Sequence, residues 1–207
     1  LGPFPFCGGT LIASKWVLTA AHCILAALEC NDATVGRLFS YHDITGEHMA
    51  VTVADHNYTQ RQHPAYNMRV KGVIVHPSYT NASITSGHDI ALLQMNRAVK
   101  RTSVTEYACF PERGLNLPAG YFCKLAGWGR IPHPPHELLP DYPETLMEGG
   151  CDSDSGKGPH CLTQDGSKWV LYGVPSLAAY ICKIGFDVFA LKTPKLSWIN
   201  AVMTAHP

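Results

Sequence analysis

The chain has 207 residues, 46% of them hydrophobic and 15% charged, a balance that lets it bury a sizeable core as one domain or two small ones. Sixteen Lys plus Arg against sixteen Asp plus Glu leave no formal net charge, and no run of like charge points to a nucleic-acid or membrane-surface partner. No apolar stretch reaches the roughly 20 residues that span a bilayer, and no signal-peptide pattern opens the chain, so an exported form is expected to have lost its leader already.

In chain order, short runs rich in β-branched and aromatic residues are separated by Gly, Pro, Asn and Asp. Residues 15–23, 48–55, 70–76, 89–95, 122–129, 168–174 and 186–191 read as strands, the pattern of an all-β sandwich or barrel. Residues 130–143 carry prolines at 132, 134, 135, 140 and 143, and proline cannot donate to a sheet ladder, so this segment reads as a loop. Only the tail reads as a helix, over about 194–205. Thr193 can cap it, Pro194 suits its first position, and Leu196, Ile199 and Val202 share one face. Two β-rich halves meet near residue 100.

Eight cysteines, at 7, 23, 30, 109, 123, 151, 161 and 182, stand singly, without the C-x-x-C spacing of a zinc site. Disulfides and an oxidising, extracellular compartment follow, with no metal and no cofactor expected. The glycosylation sequons at Asn57 and Asn81 agree with a secreted glycoprotein.

Acyl transfer by serine needs a hydroxyl, a general base, a group that orients the base, and donors aimed at the developing oxyanion. "TAAHC" places His22 at the end of a predicted strand, "HDIALL" places Asp89 at the start of another, and "DSDSG" places Ser155 on a turn. Taken singly, these are a packed histidine, a strand cap and a turn serine. Their joint order carries the chemistry.

Together with "FCGGTLIASKWVLTAAHC", "DIALL", "GWG" and C-x-x-D-S-G, these residues resemble the trypsin-like (chymotrypsin-fold) serine endopeptidases, from residue 6 nearly to the end of the chain. The resemblance implies an all-β fold of two packed antiparallel barrels with a C-terminal helix. Residues 1–100 would carry His22 and Asp89, and 101–207 would carry Ser155. It further implies His22 as general base, Asp89 as its orienting carboxylate, Ser155 as nucleophile, and the main-chain N–H groups of Ser153 and Ser155 as the oxyanion hole. Disulfides Cys7–Cys23, Cys123–Cys161 and Cys151–Cys182 follow by the same likeness. Cys30 and Cys109 are left either to pair with each other or, for Cys109, to hold a separate propeptide. Protein or peptide substrates and protein protease inhibitors are the expected partners, with no nucleic acid and no membrane.

The sequence departs from the family at three places. Ser153 replaces the glycine two before the nucleophile; it keeps the N–H, but a flipped peptide there would remove one oxyanion donor, a loss of ~3–4 kcal/mol of barrier. The chain starts Leu1-Gly2-Pro3-Phe4, without the Ile- or Val-Gly-Gly amine that pairs with the acid before the nucleophile, here Asp154. Either upstream sequence precedes it, another group pairs with Asp154, or the site is not formed. The segment from Gly129 to Cys151 is short for the family, so either the second barrel is incomplete or residues are missing from the sequence there. These departures keep a second reading open, a catalytically inactive protease homologue that acts as a binding protein.

The primary pocket follows by register. Gly149, six before the nucleophile, stands at the pocket floor, Ser176, Leu177 and Ala178 form one wall, and Asp187 lies on the neighbouring strand. A glycine floor with an acid on that strand resembles the crab-collagenase (brachyurin) type, which implies cleavage after basic and large apolar residues alike.

Overall fold

The computed structural model describes residues 6–29, 31–57, 63–80, 87–112, 114–115, 117, 121, 123–124, 126, 155–156, 158–177, 187–191 and 193–207. In the first half, β1 (Thr10–Ala13), β2 (Trp16–Thr19), β3 (Ala50–Val53), β4 (Tyr66–Val75) and β5 (Ala91–Met95) form an antiparallel sheet in the order β1-β2-β5-β4-β3. In the second, β6 (Cys123–Lys124), β7 (His160–Leu162) and β8 (Trp169–Leu171) form a three-stranded sheet, and β9 (Gly173–Leu177) pairs with β10 (Asp187–Ala190). The fold is mostly β, its sheets antiparallel, the second barrel only loosely closed among the described residues, with a C-terminal helix (Thr193–Ala205).

The centre of the first sheet is buried on both faces, which is why β2 and β5 read as continuous apolar runs. Val17 of β2, Val73 and Val75 of β4, and Ala91, Leu93 and Met95 of β5 turn into the first barrel. Trp16 and Leu18 of β2, Ile74 of β4 and Leu92 of β5 turn the other way. They pack with Leu171 and Val174 of the second half and with Leu196, Ile199 and Val202 of the C-terminal helix. Each large apolar side chain sealed in this way contributes about 1.5–3 kcal/mol relative to exposure. The sheet is therefore a wall shared by two cores, and it joins the halves.

Several expected elements change. Residues 15–23 are not one strand: β2 ends at Thr19 and a helix, α1 (Ala21–Leu28), begins two residues later. Its three alanines and two leucines are strong helix formers, and Ala21, Ile24 and Leu28 give it a buried stripe. A second helix, α2 (Tyr41–Thr45), starts where the Ser40 side chain accepts the Asp43 N–H and stops at the left-handed Gly46. The tail helix, α3, is thus one of three among the described residues. The run 168–174 divides at Tyr172, where the chain passes from one sheet to the other: its N–H donates to Pro159 O (3.0 Å), one step past the His160–Leu171 pair, and its carbonyl accepts the Leu191 N–H (2.8 Å), one step past the Gly173–Ala190 pair. β1 and β7 are strands that the sequence pattern did not reveal. The proline-rich segment 130–143 lies outside the described residues.

Candidate active site

The antiparallel register of β2 with β5 sets Thr19 opposite Ala91. The chain leaving β2 and the chain entering β5 therefore lie at the same end of the sheet. His22, in the first turn of α1 rather than at a strand end, and Asp89, two residues before β5 rather than within it, meet there. Asp89 Oδ1 accepts the His22 main-chain N–H at 2.8 Å, and Oδ2 lies 2.6 Å from His22 Nδ1. The Asp89 side chain is 0% exposed and that of His22 27%, so the carboxylate is held in the protein while the imidazole keeps an open edge. An ionised carboxylate can only accept, which assigns the proton to Nδ1 and leaves the Nε2 lone pair as the acceptor. Both Asp89 oxygens have partners, as buried side-chain polar atoms do throughout the described residues.

Ser155 comes from the other half and is held through its backbone. Its carbonyl accepts the Gly8 N–H at 2.8 Å and lies 3.9 Å from Cys23 Sγ, which is itself 3.6 Å from His22 Nε2. Gly156, at φ +85°, completes the turn, and its N–H reaches Pro175 O at 3.4 Å. A Cβ at this position would collide with Thr19 Oγ1 and Gly8 O. Gly158 N–H donates to Thr10 Oγ1 (3.1 Å), and Thr19 Oγ1 donates to Gly8 O (2.7 Å). The serine turn is thus stitched to the chain around β1 and β2, alongside the imidazole. Gly8, Thr10 and Thr19 escaped the sequence reading. All three sit inside the recognised "FCGGTLIASKWVLTAAHC" block, but a glycine N–H or a hydroxyl bonded to a main-chain atom leaves no signature of its own.

Two of the three disulfides implied by resemblance form. Cys7–Cys23 ties the segment before β1 to α1, and Cys123–Cys161 ties β6 to β7. Cys109 is a free, exposed thiol, so it does not pair with Cys30. Cys7, His22 and Cys23 bring nitrogen and sulfur within 4.8 Å, the spacing of a metal site, but with both sulfurs oxidised to a disulfide only the imidazole remains a ligand. Ser153, Asp154, Gly149, Ala178, Cys30, Cys151, Cys182 and the sequon residue Asn81 lie outside the described residues. Ser176 and Leu177 belong to β9 and Asp187 to β10, where the backbone of Asp187 pairs with that of Leu177. Two proposed walls of the pocket are thereby cross-strand neighbours. Among the described residues no helix is long and apolar enough to cross a membrane.

Residues 2–149 match the family model described as Trypsin. Chymotrypsin-like elastase family member 1 from Bos taurus is 27% identical over 232 residues, covering 97% of this chain and 79% of the relative. Chymotrypsin-like elastase family member 3B from Macaca mulatta is 28% identical over 233 residues, covering 97% and 83%. Among solved structures, one described as "Structure of GrC" superposes with a TM-score of 0.68 at 24% identity, over 96% of this chain and 87% of the other.

Proposed function

Since the chain belongs to the Trypsin family of serine peptidases, we propose that it is a secreted serine endopeptidase that cleaves its substrates through an acyl-enzyme. The observation that carries the reading is the buried Asp89 carboxylate on both His22 donors, with the Ser155 turn docked beside the same imidazole. Ser155 Oγ attacks the substrate carbonyl as His22 Nε2 takes its proton. The charge that develops on the imidazole is balanced by Asp89, which stays ionised. The main-chain N–H groups of Ser153 and Ser155 are the donors for the tetrahedral oxyanion. His22 then returns the proton to the leaving amine, and water repeats the sequence to release the acid. No metal is required, since base, nucleophile and oxyanion donors are all supplied by the chain.

The two disulfides and the sequon at Asn57 support passage through an oxidising secretory route. For specificity, the sequence register that aligns Gly149 with the family's pocket floor, together with Asp187 on β10, supports a broad preference. An off-axis carboxylate meets an Arg or Lys head, while Leu, Phe or Tyr fills the apolar volume. Protein protease inhibitors that present a substrate-like loop are the expected partners.

A fluorophosphonate or peptidyl phosphonate probe tests the reading, because covalent labelling at Ser155 requires a basic His22 and a formed oxyanion hole. Labelling and peptide hydrolysis are expected in the wild type and not in Ser155→Ala. Adding His22→Ala to Ser155→Ala should lower the remaining turnover little further, since the members act as a unit. A folded wild-type protein that neither labels nor turns over would overturn the proposal.

A further inference from the structure

Beside the Asp89 turn, three rings from three places in the chain meet, and none of them takes part in the chemistry described above. His76 follows β4, with its residue 7% exposed. Its main-chain N–H donates to Ile90 O at 3.0 Å, and its Nδ1 accepts the Ser78 N–H at 3.1 Å. Its ring stacks on that of His88, with centroids 5.1 Å apart and planes 29° from parallel. It also meets Trp198 of α3 at 4.7 Å and 59°. His88 directly precedes Asp89, and its carbonyl accepts the Ile90 N–H at 2.8 Å, so Asp89 sits at the apex of a three-residue turn. Gly87, at φ +76°, sets the chain into that turn.

A residue at the apex of so short a turn swings when its neighbour's backbone rotates. Asp89 has little room to swing, because its two oxygens must remain on two His22 donors at 2.8 and 2.6 Å. The neighbour able to stop the rotation is His88, whose ring is part of the stack. We propose that His88, locked by stacking on His76 and through it on Trp198, is a positioning residue for the Asp89 carboxylate, so that the C-terminal helix helps to set the geometry of His22. This rests on the assignment of His22 as the base. His76 is neutral in the working range: burial first, then the charges of His88 and Lys195, lower its pKa to about 4. Among the described residues, Asp89 lies on the same turn, and Tyr79 donates its main-chain N–H to His76 O at 2.9 Å, its phenol pushed up by burial and then by Asp89.

The test compares His88→Ala, His88→Phe and Trp198→Ala in the whole chain. His88 and Trp198 are only partly buried, but Trp198 packs against the core, so circular dichroism and a urea midpoint confirm that each variant is folded before the readouts are compared. One readout is the NMR titration of the His22 Cε1 proton, which needs no turnover. The other is kcat and KM across pH on a peptide substrate. In His88→Ala and Trp198→Ala the titration is expected to move to lower pH as Asp89 slips. The low-pH limb of kcat should follow it, with kcat down about tenfold and KM within about twofold. His88→Phe, which keeps a ring for the stack, should restore most of both. An unchanged His22 titration in the two alanine variants, or a Phe variant as impaired as Ala, would overturn the proposal. If the wild type lacks turnover, the peptidase reading fails while the titrations still decide the positioning role.

Discussion

Replacing Gly156 with alanine tests how the serine turn is seated. Its φ of +85° is a conformation that costs an L-residue about 1–2 kcal/mol. A Cβ there would also meet Thr19 Oγ1 and Gly8 O, the second a main-chain atom that cannot rotate away. Forcing such a shift adds about 1–3 kcal/mol. The expected loss of stability is therefore roughly 2–5 kcal/mol. Gly166 supplies the control, because it has φ +69° and nothing within 4 Å of a Cβ. Gly166→Ala should show the conformational part alone. Urea unfolding of both variants gives the difference, and the rate of Ser155 labelling by a phosphonate probe reports the turn directly. Labelling should slow in Gly156→Ala, because moving the turn pulls the Ser155 carbonyl from the Gly8 N–H, now at 2.8 Å. Equal stability losses in the two variants, with labelling unchanged in both, would refute the seating described here.

Three further outcomes are expected. His76 has its pKa lowered to about 4 from an ordinary 6.5, so the unfolded chain binds its proton first as pH falls. Its contribution is complete above about pH 6.5, declines from there to about pH 4 and is flat below; after a discount for the solvent reaching the ring it amounts to about 2 kcal/mol. Urea midpoints at pH 7 and 4.5 should draw closer together in His76→Gln than in wild type, and identical gaps would contradict the assignment. Removing the Cys123–Cys161 bridge with paired serines opens a link spanning 38 residues and should lower stability by about 3–4 kcal/mol in chemical denaturation, a prediction that fails if the loss is under about 1 kcal/mol. Asp187→Ala should reduce kcat/KM on Arg or Lys substrates by ~2–4 kcal/mol in barrier and spare Leu or Phe substrates. Equal losses on both substrate types would place Asp187 outside the pocket.

The parts of the fold legible in the sequence are those where burial writes itself into residue type. β2, β5 and the end of β4 (residues 72–75) are largely apolar because both faces of the sheet are covered there, and α3 shows through Leu196, Ile199 and Val202. The reading failed at residues 20–28, where an apolar run flows from strand into helix without a capping residue, since Ala20 makes no side-chain cap. A short apolar run does not reveal its period. β1 and β7, four and three residues long, fall below what alternation can show. At the site, His22, Asp89 and Ser155 stood out as residues, but their meeting depends on which residue of β2 faces which of β5. The seat of Ser155 depends on a glycine N–H. Neither the register nor a backbone donor has a letter of its own. The ring stack beside Asp89 was invisible for the same reason: positions 76 and 88 meet through the pairing of β4 with β5, and 198 joins them through the docking of α3.

The two-faced central sheet also sorts its residues by parity. Even-numbered positions 16, 18, 74 and 92 answer to the second half and the last helix, while odd-numbered 17, 73, 75, 91, 93 and 95 answer to the first barrel alone. Any chimera that exchanges the second half for a homologous one must therefore carry the even set with it and can leave the odd set untouched. In a lineage the two sets are free to drift on separate clocks. Substitutions at Leu18 or Leu92 would be matched at Leu171, Val174 or Ile199, across the boundary between halves, whereas those at Val17 or Leu93 would be matched only at home.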